Sequence, residues 1–136
     1  MADISVTPAN VELVSGSHRS GVAGEAISAG QALFIDTTDS NQLKKLDVDL
    51  SAAASVCCGI AISNASTSSL VVYALPESII NTGATLVAGT RYYGSDTAGG
   101  IKPGADLSNP DYVTYLFTAI DTATARIAID NTGVQL

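Results

Sequence analysis

Two stretches of this 136-residue chain say the same thing: GEAISAGQALFID (residues 24–36) and GATLVAGTRYYGS (residues 83–95). Each runs Gly, two residues, Ile or Leu, one residue, Ala-Gly, two residues, then two large apolar side chains. A catalytic device is seldom needed twice in so short a chain, so the repetition reads as architecture. Gly30 and Gly89 follow a small residue and precede an apolar run. That is the setting of a tight turn with positive φ, which glycine adopts without a Cβ clash. Gly24 and Gly83 open the two elements in the same way. The repeated text is a strand–turn–strand kink rather than a ligand loop.

The surroundings repeat too. The first motif is followed by a turn, LKKLD, a DVDLSAAAS corner, and the runs VCCGIAI and SLVVYAL. The second is followed by a turn, GIKPGAD, a DLSNPD corner, and the runs YVTYLFTAI and ARIAID. Gly59-Ile60-Ala61-Ile62 matches Phe117-Thr118-Ala119-Ile120, and Val71-Val72-Tyr73 falls beside Ile127-Ala128-Ile129. These runs are short, rich in Ile, Val, Tyr and Thr, and bounded by turn residues, which predicts an all-β fold. The expectation is a compact pseudo-duplicated β domain over residues 21–136, with repeats at about 24–75 and 83–131. Neither repeat is large enough to bury its apolar face alone. Gly99-Gly100 predicts a hairpin turn. One or two very short helices complete the picture. Asp49 or Ser51 can cap Ala52-Ala53-Ala54, and Asp106 and Ser108 make the matching corner, where Pro110 forbids a long helix.

Residues 1–20 read differently, as an extended N-terminal arm and linker. Ile4 and Val6, then Val11 and Leu13, alternate with polar residues around Pro8 and Asn10, and the soft stretch SGSHRSG follows. Alternation marks a half-buried strand, and Pro8 marks an edge or extended segment. Such a piece is either a flexible terminus or an arm that adds itself as a strand to a neighbour.

Composition narrows the function classes. Apolar residues make up 46% of the chain and charged residues only 14%, against roughly 25% in an ordinary soluble domain. That composition disfavours disorder, and so charge-poor a surface is more comfortable when partly covered by other subunits. The net charge is −7 and the six Lys and Arg residues are scattered, so no basic stripe exists to neutralise phosphates and nucleic acid is not an expected partner. No apolar run approaches the roughly 20 residues of a membrane span, and no membrane partner is expected. The opening MADISVTP has neither a basic nor an apolar leader region, so the expected place of synthesis and residence is the cytoplasm.

The catalytic inventory is thin. His18 is the only histidine and lies in the soft linker, so a Ser-His-Asp arrangement would depend on a mobile residue. GVAGEA lacks the strand–helix setting of a dinucleotide fingerprint. Asp36, Asp39, Asp47 and Asp49 offer oxygens of the kind that bind calcium, but they follow no DxDxDG loop, and turn and cap roles outweigh metal. Asn64-Ala65-Ser66 matches a glycosylation sequon and reads as a loop. Adjacent Cys57 and Cys58 lack metal-site spacing, and a mutual disulfide would be strained. Tyr92, Tyr93, Tyr112 and Tyr115 lie in β-rich runs and read as sheet and interface residues. No enzyme activity, metal or cofactor is expected.

The order GEAISAGQALFID, VCCGIAIS, GATLVAGTRYYGSDTAGGIKPGADLSNPDYVTYLFTAI resembles small capsid decoration (cement, or head-stabilising) proteins of tailed bacteriophages, of the lambda type. The likeness spans about residues 24–133, and its most telling block is residues 92–114. It departs from the usual pattern at Cys57-Cys58, where two aliphatic residues are the rule. The resemblance implies a β-tulip or β-clip fold and a structural role in viral assembly. It also implies a homotrimer on the outer surface of the expanded virion head, with the major capsid protein as partner. On that footing Ile4, Val6, Pro8, Val11 and Leu13 are the expected capsid-binding arm. Tyr92, Tyr93, Leu116 and Phe117 are the expected oligomer interface. Two rivals stand beside it: another virion structural module, such as a tail or fibre domain binding a host surface, and a small enzyme or ligand binder with a β-barrel pocket. The missing acid–base pair weighs against the second.

Overall fold

The computed structural model describes residues 3–136, and its regular secondary structure is almost wholly antiparallel strand. In chain order these are β1 (Glu12–Ser15), β2 (His18–Val22), β3 (Ala32–Asp36), β4 (Gln42–Lys45), β5 (Gly59–Ala61) and β6 (Leu70–Ala74). There follow β7 (Ile79–Asn81), β8 (Arg91–Gly94), β9 (Ile101–Pro103), β10 (Tyr112–Ala119) and β11 (Thr124–Gln135). Among the described residues, helix is confined to three single 3-10 turns at Pro8–Asn10, Ala53–Ser55 and Gly104–Asp106. The strands form a six-stranded sheet of order β1-β7-β11-β10-β8-β9 and a five-stranded sheet of order β2-β6-β5-β3-β4.

With β1 set aside, the two orders are one order. β2 to β6 are arranged in space as β7 to β11 are, and a 3-10 turn follows the second strand of the motif in each. Register confirms the equivalence. Ala32 sits opposite Ile60, and Ile60 opposite Ala74; likewise Arg91 sits opposite Thr118, and Thr118 opposite Arg126. Both Ala-Gly turns use the same bonds: Gly30 N–H donates to Ala61 O at 2.7 Å and Gly89 N–H to Ala119 O at 2.8 Å. Their φ values are +92° and +80°, so both need glycine's left-handed freedom.

Three details differ from the sequence reading. The repeats begin with β2 and β7, upstream of Gly24 and Gly83. The HRSGV run read as linker is therefore a strand, recruited by pairing with β6 despite its polar composition. The last strands align differently as well, since Tyr73 occupies the place of Ala125, not of Ile129. Finally, of the two opening glycines only Gly83 has positive φ.

One core unites the repeats. Ala32, Phe34, Ile60 and Ala74 from the five-stranded sheet meet Ile80, Tyr92, Leu116, Phe117 and Ile127 from the other. Alternation along β3 sends Leu33 the opposite way, into a smaller cluster with Ile27, Leu43, Val71 and Tyr73. Both faces of β3 are thus apolar, which is why ALFID lacks polar alternation. Main-chain bonds also cross between repeats: Gly99 N–H donates to Leu46 O (2.7 Å) and Tyr112 N–H to Val48 O (2.8 Å). A Cβ on Gly94 would lie 2.6 Å from Leu46 Cδ2 and 2.8 Å from Val48 Cγ1, so a side chain there would force both to move. Neither repeat has a surface it could expose on its own.

Candidate functional site

The N-terminal segment occupies a definite seat on the body. Repeat one closes directly, through Gly24 N–H to Leu43 O at 2.8 Å and a parallel bridge between Ala23 and Leu43. By register the counterpart of Leu43 is Ile101, since Ile35 pairs Leu43 as Gly94 pairs Ile101. In repeat two that closure is replaced. Ile101 O accepts instead from Ile4 N–H (2.8 Å), and Gly83 O accepts from Thr7 N–H (2.8 Å). Residues 4–7 lie in a seam that the first repeat closes by itself.

Side chains fasten the seat. Val6 lies against Gly30, whose missing Cβ leaves its room, and Val11 packs against both Gly30 and Gly83. Ser95 Oγ donates to Asp3 Oδ1 at 2.6 Å. Ile4 and Leu13 pack against the main core, and β1 pairs with β7. Ser78 Oγ bonds the main chain of Ser17 on both its N–H and its carbonyl side. So Ile4, Val6, Pro8, Val11 and Leu13 lie on a segment folded against its own chain, and not on a free arm. Residues 1–2 of the expected arm lie outside the described residues. Two clefts flank the segment. One, of about 530 Å³, is lined by Ser5, Thr7, Asn10, Asn81 and Thr85; the other, of about 310 Å³, by Asp3, Val6, Ser28, Gln31 and Thr97.

The expected oligomer interface lies mostly inside the molecule. Tyr92, Leu116 and Phe117 are buried in the main core, with Tyr92 and Phe117 in tilted contact at 5.4 Å. The cause is a β-bulge. Tyr115 pairs Tyr93 and Phe117 pairs Tyr92, so Leu116 is extra and alternation fails there. Two successive large side chains therefore both point inward. The Tyr92 hydroxyl oxygen accepts from Val87 N–H at 3.0 Å. Tyr93 alone is half-exposed, in tilted contact with Tyr115 at 5.6 Å, with the Arg91 guanidinium over Tyr115.

Charged groups serve the fold. Lys102, nearly fully buried, pairs with buried Asp111 at 3.0 Å and with Asp96 at 3.3 Å. Burial alone would lower the Lys102 pKa, but the hydrogen bonds and charges of Asp111 and Asp96 carry it above its usual value. Asp47 is pushed up to about 6, chiefly by burial and then by Asp49, and its Oδ1 has no hydrogen-bond partner. Asp36 is pulled down to about 2 by Thr38 and then Lys44, which it meets at 2.9 Å. Cys57 and Cys58 are both free thiols, with burial holding their pKa values well above normal. His18 lies exposed on β2. Among the described residues, no three His, Cys, Asp or Glu side chains are grouped to hold a metal ion, and no helix is long and apolar enough to cross a membrane.

Sequence reasoning missed the surface that the fold leaves apolar. Val22 and Leu70 face each other across β2 and β6, and both are exposed. Ile35 and Leu50 line one shallow cleft beside Thr37 and Ala53. The sequence signal was faint: Leu70 opens an apolar run and Leu50 sits in a polar corner. No protein-family model matches the chain, and no curated protein matches it.

Proposed function

We propose that this protein is a capsid decoration protein that binds the outer surface of an expanded phage head as a homotrimer and stabilises it by non-covalent contacts. The observation that carries the reading is a β body with one shared core that, among the described residues, keeps ten large apolar side chains exposed. Leu70, Val87 and Leu50 are each about two-thirds exposed, in a chain only 14% charged. Where such side chains adjoin, as Val22 with Leu70 and Ile35 with Leu50 do, they make apolar surface of the kind that protein partners cover. Adhesion requires no reactive centre, and the Lys44, Lys45 and Lys102 ammonium groups are engaged with carboxylates of neighbouring loops and strands.

The block that most resembles decoration proteins, residues 92–114, runs from β8 through β9 into β10. It is pinned by the Lys102–Asp111 pair and by the hairpin at Gly99, whose φ is +77°. Because Ile4 to Leu13 are engaged in the seam and core of this β fold, docking on the head is assigned to the exposed faces around Leu70 and Leu50. A ligand that binds only the expanded lattice stabilises that lattice by mass action, and three copies on one trimer add avidity.

Co-sedimentation with expanded heads tests this, comparing the wild type with Leu70→Asp and Leu50→Asp. Binding that at least one of these exposed substitutions weakens supports the reading. A wild type that stays in the supernatant, or labelled protein seen by microscopy on tails, refutes it.

A further inference from the structure

The two repeats share strand order, register and turn bonds, yet only the second carries the N-terminal segment in its seam. Repeat one shows that the closure needs nothing extra, since Gly24 N–H reaches Leu43 O directly. In repeat two, Gly83 N–H turns back to Asn81 Oδ1 (3.1 Å), leaving Gly83 O and Ile101 O to be satisfied by Thr7 and Ile4. The seam is thus a site for an extended segment.

We propose that the seam between Gly83 and Ile101 is a strand-acceptor site, filled in the assembled protein by residues 3–7 of a second copy of this chain. Three observations make the exchange possible. The occupant's chemistry is already defined by the chain's own segment: main-chain N–H groups at positions 4 and 7, a branched side chain over Gly30, and a carboxylate to Ser95. A second copy supplies the same groups, so the contacts made in trans equal those made in cis. The segment joins the body through the Pro8–Asn10 turn, which contains no buried residue, while β1 and the Ser78 clamp hold everything after it. Opening that turn lets residues 3–10 reach roughly 26 Å when extended. Open clefts lie on both sides of the segment, so no packed wall blocks its departure. The exchange does not depend on the capsid reading, because it concerns only copies of this chain.

The test uses full-length wild type. Isotope-labelled and unlabelled chains are mixed, unfolded and refolded together, and isotope-filtered NOE spectra are recorded. Exchange predicts intermolecular NOEs from the Val6 methyls to the Gly30 α protons, in a species larger than the monomer. In parallel, chains carrying Asp3→Cys are co-refolded with chains carrying Ser95→Cys and oxidised. A disulfide-linked heterodimer is expected, while mixtures of either variant with wild type stay unlinked. A monomer in which every Val6–Gly30 NOE is intramolecular overturns the proposal. So does a disulfide that forms only within a chain bearing both cysteines.

Discussion

Gly30 and Gly89 hold equivalent turns, but only one of them has a neighbour. Nothing lies within 4 Å of a Cβ built on Gly89, whereas Gly30 faces Val6. Gly89→Ala should therefore cost about 1–2 kcal/mol, the left-handed penalty alone. Gly30→Ala should cost about 2–4 kcal/mol, because it also displaces Val6. Adding Val6→Ala to Gly30→Ala should recover part of that loss, with coupling above about 0.5 kcal/mol in urea titrations. The buried ion pair obeys a different rule. Asp111→Ala leaves the Lys102 ammonium with only partly exposed Asp96, and removing one partner of a buried pair costs about 3–5 kcal/mol. Lys102→Met combined with Asp111→Ala should be more stable than Asp111→Ala alone. The glycine turns were legible in the sequence because positive φ leaves a mark on residue type. The Lys102–Asp111 pair was not, since nothing in its nine-residue spacing tells a buried lysine from a solvated one.

Among the elements, β10 and β11 show how far periodicity carries. The all-β class followed from short β-branched runs between turn residues, and the GG hairpin from its glycines. Bulges broke the rest. The register slips between Tyr115 and Phe117 put Leu116 and Phe117 both inside, and β2 is held by its partner more than by its composition. Asn131 marks another feature that sequence concealed. On the bulged part of β11 its amide bonds both main-chain groups of Cys57, at 2.8 and 3.2 Å, as a neighbouring strand would. Asn131→Ala should cost about 1–3 kcal/mol by leaving the buried Cys57 N–H without a partner, lowering Tm by about 3–10 °C. Hydrogen exchange should report faster exchange at Cys57 than in the wild type, while the Gly30 and Gly89 turn amides keep their protection.

For the whole molecule, acidity and fold pull against each other. Asp47, raised to about 6, binds its proton more tightly folded than unfolded, so its contribution to stability falls as pH rises from about 4 to 6. Asp36, lowered to about 2, acts in the other direction, and its contribution is lost as pH falls from about 4 towards 2. Thermal scans of Asp47→Asn should show a higher Tm than the wild type at pH 7 and a difference that disappears near pH 4. The duplicated architecture itself was readable from two thirteen-residue stretches, since turn glycines and apolar pairs recur wherever the same kink recurs. The seat of the N-terminal segment was not readable. Its alternation of Ile4, Val6, Val11 and Leu13 suits a strand on any partner, and only the open seam of repeat two shows that the partner is this same fold.

Adhesion to a head lattice is the central claim, and sedimentation with purified heads tests it most directly. Wild-type protein should pellet with expanded heads to a fixed number of copies and remain in solution with unexpanded ones. Expanded heads that carry no protein, or equal binding to both lattices, would contradict the account.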